Sequence, residues 1–149
     1  MFNFKPEFIG EDIVLTDVYA TWWGDTSDYE SGQDDGTTAS GVNTKDHPNL
    51  QACSLPIVKY SMGKLFAPTC NSPIAFDHKI PWNTMVKIEH GIKELIVPLI
   101  DNGPAESTGN TVDLTVACFK FFGVPLQIGR IQVTATIIGG AKYRDQDTT

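Results

Sequence analysis

Asp101 and Asp113 stand in the stretch LIDNGPAESTGNTVDLT. Asp101 ends the apolar run KELIVPLID and is followed by an Asn-Gly-Pro turn. Asp113 sits between Val112 and Leu114. A carboxyl group at the end of an apolar strand is partly buried, and burial disfavours its charged form. Such a group can hold a proton and pass it to a substrate, the work of a general acid/base. Each residue also has a plainer reading. Asp101 can cap the Asn-Gly turn. Asp113, two residues before a helix start at Thr115, can favour that helix through its macrodipole. A third carboxylate, Asp77, lies in AFDHKIPW. It reads either as a turn residue at a strand edge or as a neighbour of Asp101. Two carboxylates in one site push their pKa values apart and leave one of them protonated.

The other reactive residue types carry less. Asp25, Asp28, Asp34 and Asp35 in DTSDYESGQDD do not fit the alternating calcium-loop pattern. They read as a solvated acidic loop, with Asp25 close enough to Trp23 to reach a site there. Cys53, Cys70 and Cys118 are an odd set without a CxxC, neither a zinc signature nor a disulfide framework. Buried free thiols are expected, and Cys53 and Cys70 could pair in an oxidising compartment. His78 and His90 read as surface or turn residues. No metal or cofactor is expected.

Elements rich in β-branched and aromatic residues must position these groups. IVLTDVYATWW reads as a first strand. TMVKIEH alternates, HG turns, and KELIVPLID is apolar on both faces, as in a strand buried on both sides. RIQVTATII alternates cleanly, with Ile131, Val133, Ala135 and Ile137 on one face. TVACFKFFG reads as a short helix between a Thr115 N-cap and a Gly123 stop. Residues 42–73 carry several prolines and no sustained period. They read as a long irregular insertion with a short helix near LPIVKYSMG. Residues 139–149 read as a polar tail.

The chain has 149 residues, enough for one domain with a real core. Eleven Lys and Arg against eighteen Asp and Glu give a net charge of −7. That charge argues against nucleic acid and against anionic lipid, since both need a basic surface. The N-terminus MFNFKPEFIGEDIVL shows no continuous apolar run and no small-residue cleavage site. The expectation is cytoplasmic synthesis without a signal peptide, followed by virion association or release at lysis.

Four pieces of the chain, in order, resemble one family. They are ATWWG (Ala20 to Gly24), TASG (Thr38 to Gly41), IPWNTMVKI (Ile80 to Ile88) and IDNGP…VDLTVACFKFFG…GRIQV (Ile100 to Val133). The pattern is similar to the double-psi β-barrel proteins of the rare-lipoprotein-A, expansin and endoglucanase-45-like group. It covers about two thirds of the chain. The resemblance implies a mainly β fold: a six-stranded double-psi barrel with one or two short helices, interrupted by the 42–73 insertion. It also implies a groove that holds polysaccharide. By the same resemblance Asp101 is the general acid/base, Asp113 a structural or site aspartate, and Asp77 a second groove carboxylate. This chain departs from the family pattern at Asn102, where the family has Arg, and at Val42, where the transglycosylases have Glu. Asp46 and His47 are candidate substitutes for that Glu.

Glycoside cleavage needs a proton for the leaving oxygen and stabilisation of an oxocarbenium-like centre. A lytic transglycosylase uses no water, and one carboxyl group can serve as acid and then as base. Sugars stack on aromatic faces, which makes Trp22, Trp23 and Trp82 substrate-binding candidates, with Tyr19 as a further one. Alternation puts Trp22 and Trp23 on opposite sides of their strand. Ser40, Asn102 and Gly103 complete the expected contacts. The expected function is peptidoglycan cleavage with cell-wall polysaccharide as partner. The alternatives are an expansin-like glycan-binding barrel and a structural virion tail or baseplate module.

Overall fold

The structure is a computed structural model, and it describes residues 6–56, 59–61, 64–66, 80–104 and 108–146. Asp77, His78 and Cys70 lie outside the described residues. Among the described residues, nine strands and two α-helices follow the chain in the order β1 (Glu7–Ile9), β2 (Asp12–Trp23), α1 (Thr26–Glu30), β3 (Cys53–Leu55), β4 (Lys59–Ser61), β5 (Lys64–Phe66), β6 (Met85–His90), β7 (Lys93–Asn102), β8 (Val112–Thr115), α2 (Val116–Phe122) and β9 (Ile131–Ile137).

Six strands close a barrel in the order β2-β8-β3-β7-β6-β9, and β9 returns to β2. The pairs β2–β8 and β3–β7 are parallel, and the other four are antiparallel. β1 folds back on β2 outside the barrel, and β4 and β5 form a separate hairpin. Closure removes the sheet edges that open sheets must protect.

The barrel interior is apolar. β9 sends Ile131, Val133, Ala135 and Ile137 inward, with Val86 and Ile88 from β6. Each large aliphatic side chain buried this way contributes about 1.5–3 kcal/mol. β2 could not stay in phase with this core by strict alternation. Its inward residues are Ile13 and Leu15, then Val18 and Ala20. A bulge resolves the mismatch: Leu15 pairs with Ala135 and Val18 with Val133, so Thr16 and Asp17 together oppose Thr134. Asp17 takes a left-handed φ of 53°. Its N–H donates to Thr134 Oγ1 at 3.3 Å, and its carbonyl accepts from Gln132 Nε2 at 3.2 Å. The extra residue turns Tyr19, Thr21 and Trp23 to the outer face.

α2 covers the barrel with Cys118, Phe119 and Phe122. It starts after Thr115, whose backbone is extended, and stops at Gly123 with φ 73°. The Val124 N–H donates back to the Phe119 carbonyl at 3.0 Å, a helix-ending bond that a left-handed residue permits.

Three parts differ from the sequence reading. The 42–73 segment is irregular as far as Ala52, but Cys53–Leu55 then supplies a barrel strand between β7 and β8. The described residues of LPIVKYSMG hold no helix: Leu55 ends β3, Pro56 is in neither helix nor strand, and Lys59–Ser61 is a strand paired with Lys64–Phe66. The polar tail folds as a 3-10 turn over Gly140–Gln146. Its backbone explains this, because Ala141 N–H donates to the Glu11 carbonyl at 2.8 Å and Gly139 N–H to the Asp12 carboxylate at 2.7 Å.

Candidate functional site

Four side chains from four adjacent strands form a row on the outer face of the barrel. Thr21 of β2 is the register partner of Asp113 on β8. Asp113 partners Ser54 on β3, and Ser54 partners Asp101 on β7. The last pairing depends on a second bulge: Cys53 pairs with Leu99 and Ser54 with Asp101, so Ile100 is the extra residue. Adjacent strands lie about 4.8 Å apart, so the Asp113 and Asp101 backbones are separated by about 10 Å.

The two carboxylates are held differently. The Thr21 hydroxyl donates to Asp113. Burial raises the Asp113 pKa above the ordinary 3.8, with a smaller push from the nearby Asp101 charge; the Thr21 hydrogen bond pulls the other way. Asp101 accepts from the backbone N–H groups of Ala39 at 3.0 Å and Asn102 at 2.9 Å. The Ser40 N–H donates to the Ile100 carbonyl at 3.1 Å. The Thr-Ala-Ser-Gly turn is therefore latched over the end of β7. The turn braces itself: Thr38 Oγ1 donates to the Val42 carbonyl at 2.6 Å and lies 3.0 Å from the Ser40 hydroxyl.

Ser54 is buried between the carboxylates, and its hydroxyl donates to the Gly103 carbonyl at 2.8 Å. Gly103 N–H donates to the Leu55 carbonyl at 3.1 Å. Gly103 thus continues the β3–β7 ladder and is itself buried. Beside it, Asn102 Oδ1 is buried and finds no hydrogen-bond donor among the described residues.

The tryptophans separate as alternation requires. Trp22 turns inward, packs on the core and donates its indole N–H to the Leu126 carbonyl at 3.0 Å. Trp23 shares the outer face with Thr21 and Asp113 and is half-buried. Tyr19 is on that face too, 40% exposed, with the Arg130 guanidinium 3.7 Å above its ring. Tyr19, Thr21 and Trp23 therefore run in line along β2, with Asp113 beside the central member. Trp82 packs against the core in the turn before β6, where Asn83 N–H donates to the Leu99 carbonyl at 2.9 Å. Asp46 and His47 are exposed on the loop before β3.

The expected helix-starting role of Asp113 is not what its hydrogen bond serves, since that bond runs across to β2. The α2 start is tied instead through Thr115. Its N–H donates to the Ala52 carbonyl at 3.1 Å, and its Oγ1 accepts from the Ala52 N–H at 3.1 Å. Cys53 and Cys118 are free and buried, and burial pushes both thiols up.

Sequence reasoning singled out the two carboxylates but missed Thr21, Ser54 and Arg130. Ser54 had only a faint signal, one small polar residue between Cys53 and Leu55 in a segment without sustained alternation. Among the described residues, no group of three or more His, Cys, Asp or Glu is placed to hold a metal ion. No helix among them is long and apolar enough to cross a membrane.

Two adjoining cavities lie beyond the ends of β2 and β8. One, of about 450 Å³, is lined by Asp25, Thr26, Pro48, Val116, Lys120 and Leu126 among others. The second, of about 380 Å³, shares Thr26 and Pro48 and adds Tyr29, Glu30 and Lys45. No protein-family model matches the chain, and no curated protein matches it.

Proposed function

We propose that this chain cleaves a cell-wall glycan, as a lytic transglycosylase acting on peptidoglycan. The observation that carries the reading is the row Thr21–Asp113–Ser54–Asp101, two carboxylates in unlike surroundings on one face. Tyr19 and Trp23 support it, because they offer aromatic surface on either side of Asp113 along β2. The fold expectation is consistent with it: two parallel strand pairs inside a six-stranded closed barrel are compatible with a double-psi barrel.

In this reading Asp113 is the proton carrier, in place of Asp101, to which the family resemblance gives that role, because the Asp101 carboxylate is taken up by the Ala39 and Asn102 amides. Burial raises its pKa, which favours the protonated form that would donate to the glycosidic oxygen. As that proton transfers, the bond from the anomeric carbon to the leaving oxygen breaks. The Asp101 carboxylate, on the same face, stabilises the positive charge that develops. The sugar's own primary hydroxyl then attacks the anomeric carbon and gives its proton to Asp113, which restores the starting state. The product is an anhydro sugar, and no water is consumed.

The test is digestion of purified cell wall, with products read by mass spectrometry. Anhydro-muropeptides from the wild type, lost in Asp113→Asn, support the proposal. Products carrying a free reducing end would mean hydrolysis instead, and equal product from wild type and variant would refute the role of Asp113.

One observation favours a second reading, a barrel that binds glycan without cutting it. The Asp101 carboxylate is occupied by the Ala39 and Asn102 amides and fixes a turn. Retention on cell wall with no soluble product would select that alternative.

A further inference from the structure

The carboxylate row has a fifth member on the far side of β2. Ile131 opens β9 opposite Ala20, so the same antiparallel register, continued one step, sets Arg130 opposite Thr21. Ile131 is buried in the barrel, which puts Arg130 on the outer face by alternation. Asp113 therefore lies between two opposite charges. Asp101 is two strands away on one side and Arg130 two strands away on the other, each about 10 Å at ordinary strand spacing.

Arg130 is exposed, and its guanidinium is held 3.7 Å above the Tyr19 ring. Stacking fixes the plane of the guanidinium and leaves its edge N–H groups pointing outward. Among the described residues no carboxylate pairs with it; the ion pair found there joins Lys87 and Glu89. The chain carries eighteen acidic residues against eleven basic ones, so partners were not scarce. An anchored cation without a counter-charge is thus presented on the face that holds Asp113.

A carboxylate is the group this arrangement selects. The flat fork of a guanidinium matches the two oxygens of a carboxylate. A sugar hydroxyl engages one N–H and leaves the charge unmatched. A phosphate brings up to two charges to a row that already holds Asp101 and has Arg130 as its single cation.

We propose that Arg130 is a specificity-determining residue that binds the carboxylate of an acidic sugar neighbouring the bond held at Asp113. The inference rests on the glycan reading above and adds to it a charge on the substrate and a direction of binding. The acidic sugar lies on the β9 side of Asp113, away from the Asp101 charge that would repel it.

The test compares two probes: a tetrasaccharide alternating N-acetylglucosamine with N-acetylmuramic acid, and the same tetrasaccharide with its carboxylates converted to methylamides. Conversion keeps the rings and hydroxyls and removes the charge. All titrations use the Asp113→Asn chain, so that the probe is not consumed. The acidic form should bind about tenfold or more tightly than the neutral one, and the preference should shrink as salt is raised. The Arg130 Nε–Hε resonance should move with the acidic form alone. Adding Arg130→Gln should make the two affinities equal, while Arg130→Lys, which keeps the charge without the fork, should keep part of the difference. Equal affinity for the two forms with Arg130 in place means recognition of hydroxyls and overturns the proposal. So does a preference that survives Arg130→Gln, and so does the absence of binding by either form. The probe comparison and the Arg130 resonance need no change at Arg130, so they decide the matter even if Arg130→Gln does not fold. If the acidic form binds through Arg130 while the wild type leaves purified cell wall uncut, the glycan-cleaving reading fails and the carboxylate site stands.

Discussion

Asp113 on β8 and Asp101 on β7 are two strands apart and share Ser54 as their register partner. They face the same side of the barrel in different company. One takes a hydroxyl from Thr21, while the other takes two backbone N–H groups. Burial and the neighbouring charge raise the Asp113 pKa. The proposed reading gives the proton to the first of these carboxyls because of its surroundings.

Asp113→Asn should lower glycan cleavage by about a hundredfold or more, the usual scale for losing a general acid. The proposed role requires Asp113 to be protonated, so wild-type activity should fall as pH rises through its raised pKa. Removing the Asp101 charge lowers that pKa. Asp101→Asn should therefore move the falling limb of the pH–rate profile to lower pH, whatever its effect on the maximum. A limb that stays in place would show that Asp113 does not carry the titrating proton.

Stability should respond to the same group with a definite sign. The folded-state pKa of Asp113 is above its unfolded value, so the folded chain binds this proton more tightly. The contribution is fully present below about pH 3.8 and is lost as pH rises through the raised value. Asp113→Asn keeps an acceptor for Thr21 and has no proton to lose. Relative to wild type, the variant should gain stability between acidic and neutral pH, as read from urea midpoints at several pH values. A difference that does not change with pH would contradict the burial effect.

The parts of the fold legible in sequence were those with local periodicity. β9 announces itself because Ile131, Val133, Ala135 and Ile137 alternate against one partner face. α2 does so through Thr115 and Gly123. β3 does not, because three residues leave no room for a period and its pairing is with distant Leu114 and Leu99. β7 was expected to be buried on both faces, but Ile96 is 52% exposed. Among the described residues, that end of the strand pairs with β6 alone, in a hairpin. The carboxylates were visible as charges in apolar surroundings. That they belong to one face depends on the Ile100 bulge, and the line Tyr19–Thr21–Trp23 depends on the bulge at Asp17. Neither bulge has a composition signature.

Ser54→Ala should destabilise the fold by about 1–3 kcal/mol, because it strands the buried Gly103 carbonyl without its donor. The side chain is only 2% exposed, so water cannot easily replace it. The urea midpoint should drop while the slope stays unchanged, since no extra surface is exposed on unfolding. A loss of cleavage larger than the loss of folded protein would show that Ser54 also fixes the spacing of the carboxylates. No change in midpoint would mean that the Gly103 carbonyl finds another donor.

The thiols give a last prediction, independent of any activity. Cys53 is fully buried in the core between Ala52 and Ser54, and Cys118 is on the buried face of α2 with its sulfur 3.4 Å from Thr115 Oγ1 and 3.6 Å from the Ala52 carbonyl. Burial disfavours the thiolate at both, and for Cys53 the nearby Cys118 adds to the effect. Alkylation requires the thiolate and an open path to it. Peptides containing Cys53 and Cys118 should therefore stay unmodified by iodoacetamide in the native protein at neutral pH, and both should label together once denaturant crosses the unfolding midpoint. Cys118 contacts both members of the Ala52–Thr115 pairing and Cys53 directly follows Ala52, so the two thiols should become reactive in one step. Labelling of Cys118 alone below the midpoint would show instead that α2 lifts from the barrel as a separate unit.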